Sequence, residues 1–322
     1  MSLFSIVPRD HKEWHEQTKL SDITDEEFNR QIKPVKYARK HIIFQIICFI
    51  LTLGPIRAVF GFVGFFSCCA IAGGLRRLQY ALGMDTTKYK TFLLRIVQLG
   101  FRCLFIVFNH IWIRKEGTMD PDARVIICNH TAFHDPMIIS CTRDTSVVMK
   151  ASFGEGVARW VFDIIDPIYV RRDMPGGQTK LIIDHANNKE LLPILIFPEG
   201  TLTNGDIFLK FHRGAFLTDH KVQPMLVRYH MPFVPEGWNS FAWTEPNILL
   251  YFWYAMSVPL NWVTVKILPA HSKSEYANAD EFADAMQLQC ANAFGVLAST
   301  RSSNDIFRKK TEEKVENKEK KE

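Results

Sequence analysis

The sequence predicts an α/β fold, a mixed sheet covered by helices, preceded by an N-terminal membrane-embedded helical hairpin. Three observations predict it. Residues 42–75 form an almost unbroken apolar run, and short β-branched runs alternate with helix-like segments after residue 120. Polar residues able to do chemistry stand directly behind several of those runs.

The apolar run is interrupted by Gly54-Pro55 and Arg57 and flanked by Lys33, Lys36, Arg39 and Lys40 before it and Arg76 and Arg77 after it. One straight helix of that length would measure roughly 50 Å, against a hydrocarbon core of ~30 Å, while two full spans need about forty residues. A hairpin bent at Gly54-Pro55 uses the proline as a breaker and leaves both basic flanks on the cytosolic side, and it is preferred here to a single kinked span. A soluble helix pair would keep a polar stripe that this run lacks. A second apolar stretch, 92–108, carries Arg95, Gln98 and Arg102 at intervals of three and four. That amphipathic pattern suits a helix on a membrane surface or one facing the core, and both readings stay open.

The predicted strands lie at 124–128, 146–149, 168–170, 194–197, 224–228 and 263–267, with helix-like segments near 154–164, 177–189 and 278–294. This divides the chain into a polar N-terminal segment (1–41), the membrane hairpin (42–77), a domain over 85–300 and a charged, disordered tail (301–322). With 322 residues, 47% of them hydrophobic, the chain holds one main core. The net charge of +5 forms no basic stripe, so no nucleic-acid partner is expected, and a lipid bilayer is the acidic surface the chain would meet. The seven cysteines show no paired CxxC spacing and read as reduced packing residues. The first forty residues are too polar for a cleavable signal peptide, so the domain is expected to face the cytosol.

Three strand ends carry the chemistry. The run Val125-Ile126-Ile127-Cys128 leads into Asn129-His130-Thr131-Ala132-Phe133-His134-Asp135-Pro136. His130 is a candidate general base, and Asp135 a carboxylate to orient it. The same residues also read as a helix N-cap with proline at the first position and a hydrogen-bonded structural histidine. His130 and His134 lack a third ligand, so no metal is expected. Phe197-Pro198-Glu199-Gly200-Thr201 follows Ile194-Leu195-Ile196, with a glycine that permits close approach to a ligand. Tyr169-Val170 runs into Arg171-Arg172, whose guanidinium groups are suited to a phosphate, or are simply exposed at a strand end.

Together and in this order, these blocks resemble the glycerolipid acyltransferases, the lysophosphatidic acid and lysophospholipid acyltransferases among them. The family pattern N-H-x-x-x-x-D is matched by Asn129-His130 through Asp135, an F-x-x-R-like block by 169–172, and F-P-E-G-T by 197–201. Lys210-Phe211-His212-Arg213-Gly214-Ala215-Phe216 and Val222-Gln223-Pro224-Met225-Leu226-Val227 match later blocks. The likeness covers roughly residues 85–295 and is strongest to the lysophosphatidylcholine and lysophosphatidylethanolamine acyltransferase branch.

The resemblance implies that His130 is the base and Asp135 its partner. It places Arg172, with Arg171, at the acceptor's phosphate, and Asn129, Glu199, Gly200 and Thr201 in substrate-binding loops. It implies acyl-CoA as co-substrate, a lysophospholipid as acceptor, direct attack without an acyl-enzyme and no further cofactor. Rival readings are a glycerol-3-phosphate or lysophosphatidic acid acyltransferase, a metal-dependent hydrolase, and a non-catalytic lipid-binding protein. Leu202 departs from the family's arginine after F-P-E-G-T, which leaves Arg171, Lys210 or Arg213 to supply positive charge there. No D-x-D-x-D-G loop is present, so calcium regulation is not expected. The ending Lys318-Glu319-Lys320-Lys321-Glu322 fits a dilysine signal for the endoplasmic reticulum membrane.

Overall fold

The computed structural model describes residues 15–34, 37, 39–84, 87–170, 177–234 and 239–306. Its helices are α1 (Asp25–Ile32), α2 (Arg39–Leu51), α3 (Gly54–Ala81), α4 (Thr87–Val107), α5 (Asp135–Thr142), α6 (Arg159–Phe162), α7 (Gln178–Asn187), α8 (Ile248–Met256) and α9 (Ala279–Phe294). Its strands are β1 (His110–Glu116), β2 (Val125–Ile127), β3 (Ser146–Lys150), β4 (Ile168–Val170), β5 (Ile194–Ile196), β6 (Ile207–Phe208), β7 (Val222–His230), β8 (Asn261–Ile267) and β9 (Leu297–Ala298).

Seven strands form one sheet in the order β1-β8-β7-β2-β5-β3-β4, with every neighbouring pair parallel except β7 and β8. β2 lies at the centre, and Val125, Ile126 and Ile127 are wholly buried, as a strand covered on both faces requires. Alternation divides its side chains. Val125 and Ile127 pack with Ile182 of α7 and Phe282 and Met286 of α9, while Ile126 packs with Phe105 of α4 and Ile138 and Ile139 of α5. The mixed sheet with helices on both faces is therefore present.

The six expected strands coincide with β2, β3, β4, β5, β7 and β8. The helix expected near 154–164 is broken into 3-10 turns around α6, with Gly156 at φ +66° interrupting it. The stretch at 92–108 belongs to α4, whose Leu93, Leu94, Val97, Leu104 and Phe105 are buried while Phe92, Leu99 and Ile106 are exposed. It is a core-facing helix that also presents an apolar outer side.

The apolar run breaks before Gly54-Pro55, where Leu53 adopts φ +53°. α3 then continues beyond the expected end of the hairpin to Ala81, and it packs along α4. Small residues bring the two backbones together: a Cβ on Gly61 would meet Val107 Cγ2 at 2.4 Å and the Cys103 carbonyl oxygen at 2.7 Å. Among the described residues α3 is the one helix long and apolar enough to cross a membrane.

Arg57 ties this unit together. Its Nε donates to Thr52 O (2.7 Å), its Nη1 to Ile106 O (3.2 Å) and Val107 O (2.9 Å), and its Nη2 to Thr52 Oγ1 (2.8 Å) and Met256 O (3.2 Å). The C-terminal ends of α2, α4 and α8 thus converge on one guanidinium, whose five bonds reach four carbonyls at helix ends and the Thr52 hydroxyl. Arg57→Ala is expected to destabilise the protein by about 3 kcal/mol or more, since these bonds are charge-assisted and the surroundings apolar. Thermal melts in detergent check this. Arg57→Lys should recover little, because one ammonium cannot span the same acceptors.

Two expected boundaries shift. Within the polar N-terminal segment, Gln17 bonds Asn292 and Val296, Ser21 bridges to Ser299, and Phe28 is buried beneath Arg301, so residues 15–34 are docked on the domain. Residues 301–306, assigned to the disordered tail, are also packed there, with Ile306 against Ile23 and Phe28. Apolar side chains widely spaced in a polar stretch carry no periodic signal, and only tertiary contact buries them. The remainder of the tail, with its dilysine pattern, lies outside the described residues.

Candidate active site

β7, β2 and β5 are adjacent and parallel, so their C-terminal ends open at one edge of the sheet. The segments after β2 and β5 deliver His130 and Glu199 there, and Tyr229 emerges near the end of β7. His130 is partly accessible, its side chain 21% exposed, and its Nδ1 lies 3.2 Å from Oδ2 of the wholly buried Asp135. That oxygen also accepts from the backbone N–H of Thr131 (2.7 Å) and Ala132 (2.8 Å), and Tyr229 donates its hydroxyl proton to Oδ1. The carboxylate is held on both oxygens. It dictates that His130 carries its proton on Nδ1 and leaves Nε2 on the opposite edge of the ring, without a partner among the described residues.

Phe197 sets the plane of that ring. It stacks on His130 with centroids 3.9 Å apart and planes inclined by 20°. The following turn uses Gly200 at φ +69°, where an added Cβ would meet the His212 ring at 3.0 Å, and Thr203 N donates back to His130 O at 3.0 Å. Two of the sequence blocks are therefore one structure: the 197–203 turn packs on His130 and is hydrogen-bonded to its backbone. Thr201 sits in this turn, half-buried.

Glu199 is wholly buried and its Oε2 accepts from Leu209 N at 3.0 Å. Burial pushes its carboxyl up to about 8; the amides of Leu209 and His130 oppose this, and Asp135 adds to it. The folded state thus holds a proton that the unfolded chain, at the ordinary 4.5, releases, so stability falls as pH rises from 4.5 towards 8. The loss is about 1.4 kcal/mol for each tenfold difference in proton affinity between the folded and unfolded states. Glu199→Gln is expected to stay folded near neutrality and to flatten this part of the stability profile. Parallel slopes for the two proteins in melts across that window would show that Glu199 is not the titrating group.

Asn129 is bonded into the sheet. It is 2% exposed, its Oδ1 accepts from Val227 N at 2.8 Å and its Nδ2 donates to Val227 O at 3.1 Å. The side chain clamps β2 to β7 beside His130. His134 points away from His130, burying its ring and bonding Nε2 to Nε2 of His110 at 2.8 Å. His110 in turn bonds Asn261, and burial lowers its pKa to about 4. Among the described residues no group of three His, Cys, Asp or Glu is placed to hold a metal ion. Of the residues expected to supply charge after F-P-E-G-T, Lys210 pairs with Asp284 at 2.7 Å and Arg213 with Asp280 at 3.5 Å, both on α9. Arg171 and Arg172 lie outside the described residues.

Tyr229 escaped the sequence reading because a tyrosine in an alternating strand has no motif of its own; only the pairing of β7 beside β2 brings it to Asp135. Tyr229→Phe removes one donor from a buried carboxylate. A fall in turnover of about tenfold is expected, comparable to one lost charge-assisted hydrogen bond, with little change in substrate KM. A KM change without a kcat change would assign Tyr229 to binding instead.

The site is thus a histidine held by a buried carboxylate at the open edge of a mostly parallel sheet. Residues 100–234 match the acyltransferase family model. It is 27% identical over 210 residues to a lysophosphatidylcholine acyltransferase of Drosophila melanogaster, covering 62% of this chain and 38% of the relative. It is 28% identical over 262 residues to the human lysophospholipid acyltransferase LPCAT4, covering 77% and 49%. To the lysophospholipid acyltransferase LPEAT2 of Arabidopsis thaliana it is 25% identical over 233 residues, covering 69% and 42%. The chain therefore spans less than half the length of these relatives. Among solved structures, the 1-acyl-sn-glycerophosphate (LPA) acyltransferase PlsC of Thermotoga maritima shares the fold, with TM-score 0.52, 16% identity, and coverage of 75% of this chain and 96% of that one.

Proposed function

We propose that this protein transfers a fatty acyl group from acyl-CoA to the free hydroxyl of a lysophospholipid. The observation that carries the reading is the His130–Asp135 pair, with Nδ1 engaged by a carboxylate that two amides and Tyr229 hold in place. In the proposed reaction His130 Nε2 takes the hydroxyl proton as the acceptor oxygen attacks the thioester carbonyl. The tetrahedral intermediate then collapses, the C–S bond breaks, and the coenzyme A thiolate leaves and receives the proton from His130. Imidazole suits both steps because its pKa lies near neutrality. Arg171 and Arg172, which follow β4, are the proposed contacts for the acceptor's phosphate.

Both substrates carry acyl chains, and each methylene moved into water costs ~0.8 kcal/mol, so the reaction is favoured at the bilayer. α2 and α3 are proposed to lie in the membrane, with outward residues such as Ile43, Ile47, Phe60 and Val63 exposed on the protein's own surface. A location in the endoplasmic reticulum is part of this proposal, and the basic flanks of this unit support a site facing the cytosol. The names of the relatives support the acceptor class.

The test is release of free coenzyme A from oleoyl-CoA by reconstituted protein, offered lysophosphatidylcholine, lysophosphatidylethanolamine, lysophosphatidate or glycerol 3-phosphate in turn. Stimulation by a lysophospholipid with choline or ethanolamine is expected. Stimulation by lysophosphatidate or glycerol 3-phosphate alone would replace the acceptor, and none by any acceptor would overturn the reaction.

A further inference from the structure

We infer that α8, a helix inserted between β7 and β8 and far from the N-terminal apolar run in sequence, is a second membrane-seated element embedded among lipid acyl chains. The inference rests on the proposed seating of α2 and α3 in the bilayer and extends it to the catalytic domain itself. The nine residues of α8, Ile-Leu-Leu-Tyr-Phe-Trp-Tyr-Ala-Met, include no charged side chain. Asn247 caps its start, accepting from Leu249 N and Leu250 N.

The two sides of α8 differ. Tyr251 and Ala255 are buried, and Phe252 packs against Phe62, Phe108 and Phe133. Ile248, Leu249 and Leu250 point outward and are 49%, 77% and 42% exposed, which water would oppose and lipid would favour.

Continuity with α2 names the occupant. Trp253 donates its Nε1–H to Gln45 Oε1 at 3.1 Å and its ring lies 5.2 Å from Phe49, and α2 and α8 both end on Arg57. Ile248, Leu249 and Leu250 are exposed, as are Ile42, Ile43 and Ile46 of the α2 that α8 contacts, so two stretches distant in the chain both present outward apolar side chains. α8 also reaches the site. Tyr251 and Phe252 touch Phe133, three residues from His130, and Trp243, just before α8, donates N–H to Thr131 O at 2.8 Å. A lipid-seated α8 holds the base's loop at the membrane surface, where a phospholipid acceptor enters sideways without leaving the bilayer.

The test places a photoreactive side chain at three positions of the full chain reconstituted in phosphatidylcholine vesicles: Leu249→p-benzoylphenylalanine on α8, Phe60→p-benzoylphenylalanine on α3 and Glu281→p-benzoylphenylalanine on α9. The exposed Leu249 tolerates the larger ring, and Ile248→p-benzoylphenylalanine serves as its duplicate. Lipid adducts at 249 and 248 comparable in yield to those at 60, and lost at 281, are expected. Adducts at 60 with none on α8 overturn the inference while leaving the membrane seating of α3 intact. Absence at both helices overturns both. A cross-link from 249 to a second copy of the chain assigns the surface to self-association and overturns the lipid assignment.

Discussion

Replacing His130 by alanine is expected to abolish acyl transfer, a fall of about 100-fold to 10,000-fold or more, because a positioned base contributes that much to proton removal. The fold should survive. His130 is partly exposed, its side chain bonds only to Asp135 among the described residues, and the turn from Thr203 binds its backbone carbonyl, which alanine retains. Coenzyme A release and a thermal melt on the same preparation separate the two effects. An active His130→Ala protein would refute the mechanism, whereas an inactive and unfolded one would move His130 to a structural role.

The second large effect is at Asp135. Asp135→Asn keeps one oxygen for the amides of Thr131 and Ala132 and sets an NH2 group against Tyr229, so it should fold while losing the anion that stabilises protonated His130. By analogy with carboxylates that orient catalytic histidines, turnover should fall by about 10,000-fold at most and by at least tenfold. Asp135→Ala should do this and destabilise as well. It leaves two buried amides and a buried hydroxyl without an acceptor, at about 1–3 kcal/mol each. Equal melting temperatures for Asp135→Asn and Asp135→Ala would contradict the view that the carboxylate organises the loop. Near-normal turnover in Asp135→Asn would leave it a structural residue only.

These two residues also mark what is legible in the chain itself. His130 and Asp135 are five apart on one loop, so a local motif carries their partnership. Glu199 is legible as part of a motif, but not its raised pKa, because burial among elements distant in sequence sets that. The bonding of Asn129 is hidden for a related reason: an amide in a motif looks available until β7 arrives beside it and Val227 bonds both of its ends. The apolar run and its breaker are legible from hydropathy and proline. That α3 continues to Ala81 and lies along α4 depends on glycine contacts between helices, which hydropathy does not contain.

By itself the sequence determined the periodic and the local. β-branched runs fall where buried strands lie, proline breaks the long apolar segment, and the three blocks stand directly behind their strands, because backbone preference and hydrophobic burial act over a few residues. Tertiary structure decided the rest. Parallel pairing of β5, β2 and β7 brings Phe197, His130 and Tyr229 to one sheet edge, and the docking of residues 15–34 hides apolar side chains scattered in a polar stretch. Convergence of three helix ends on Arg57 joins α8 to the N-terminal helices. In each case the partners are far apart in the chain, and no local pattern records which distant group will satisfy a carbonyl, cover an apolar face or orient a base.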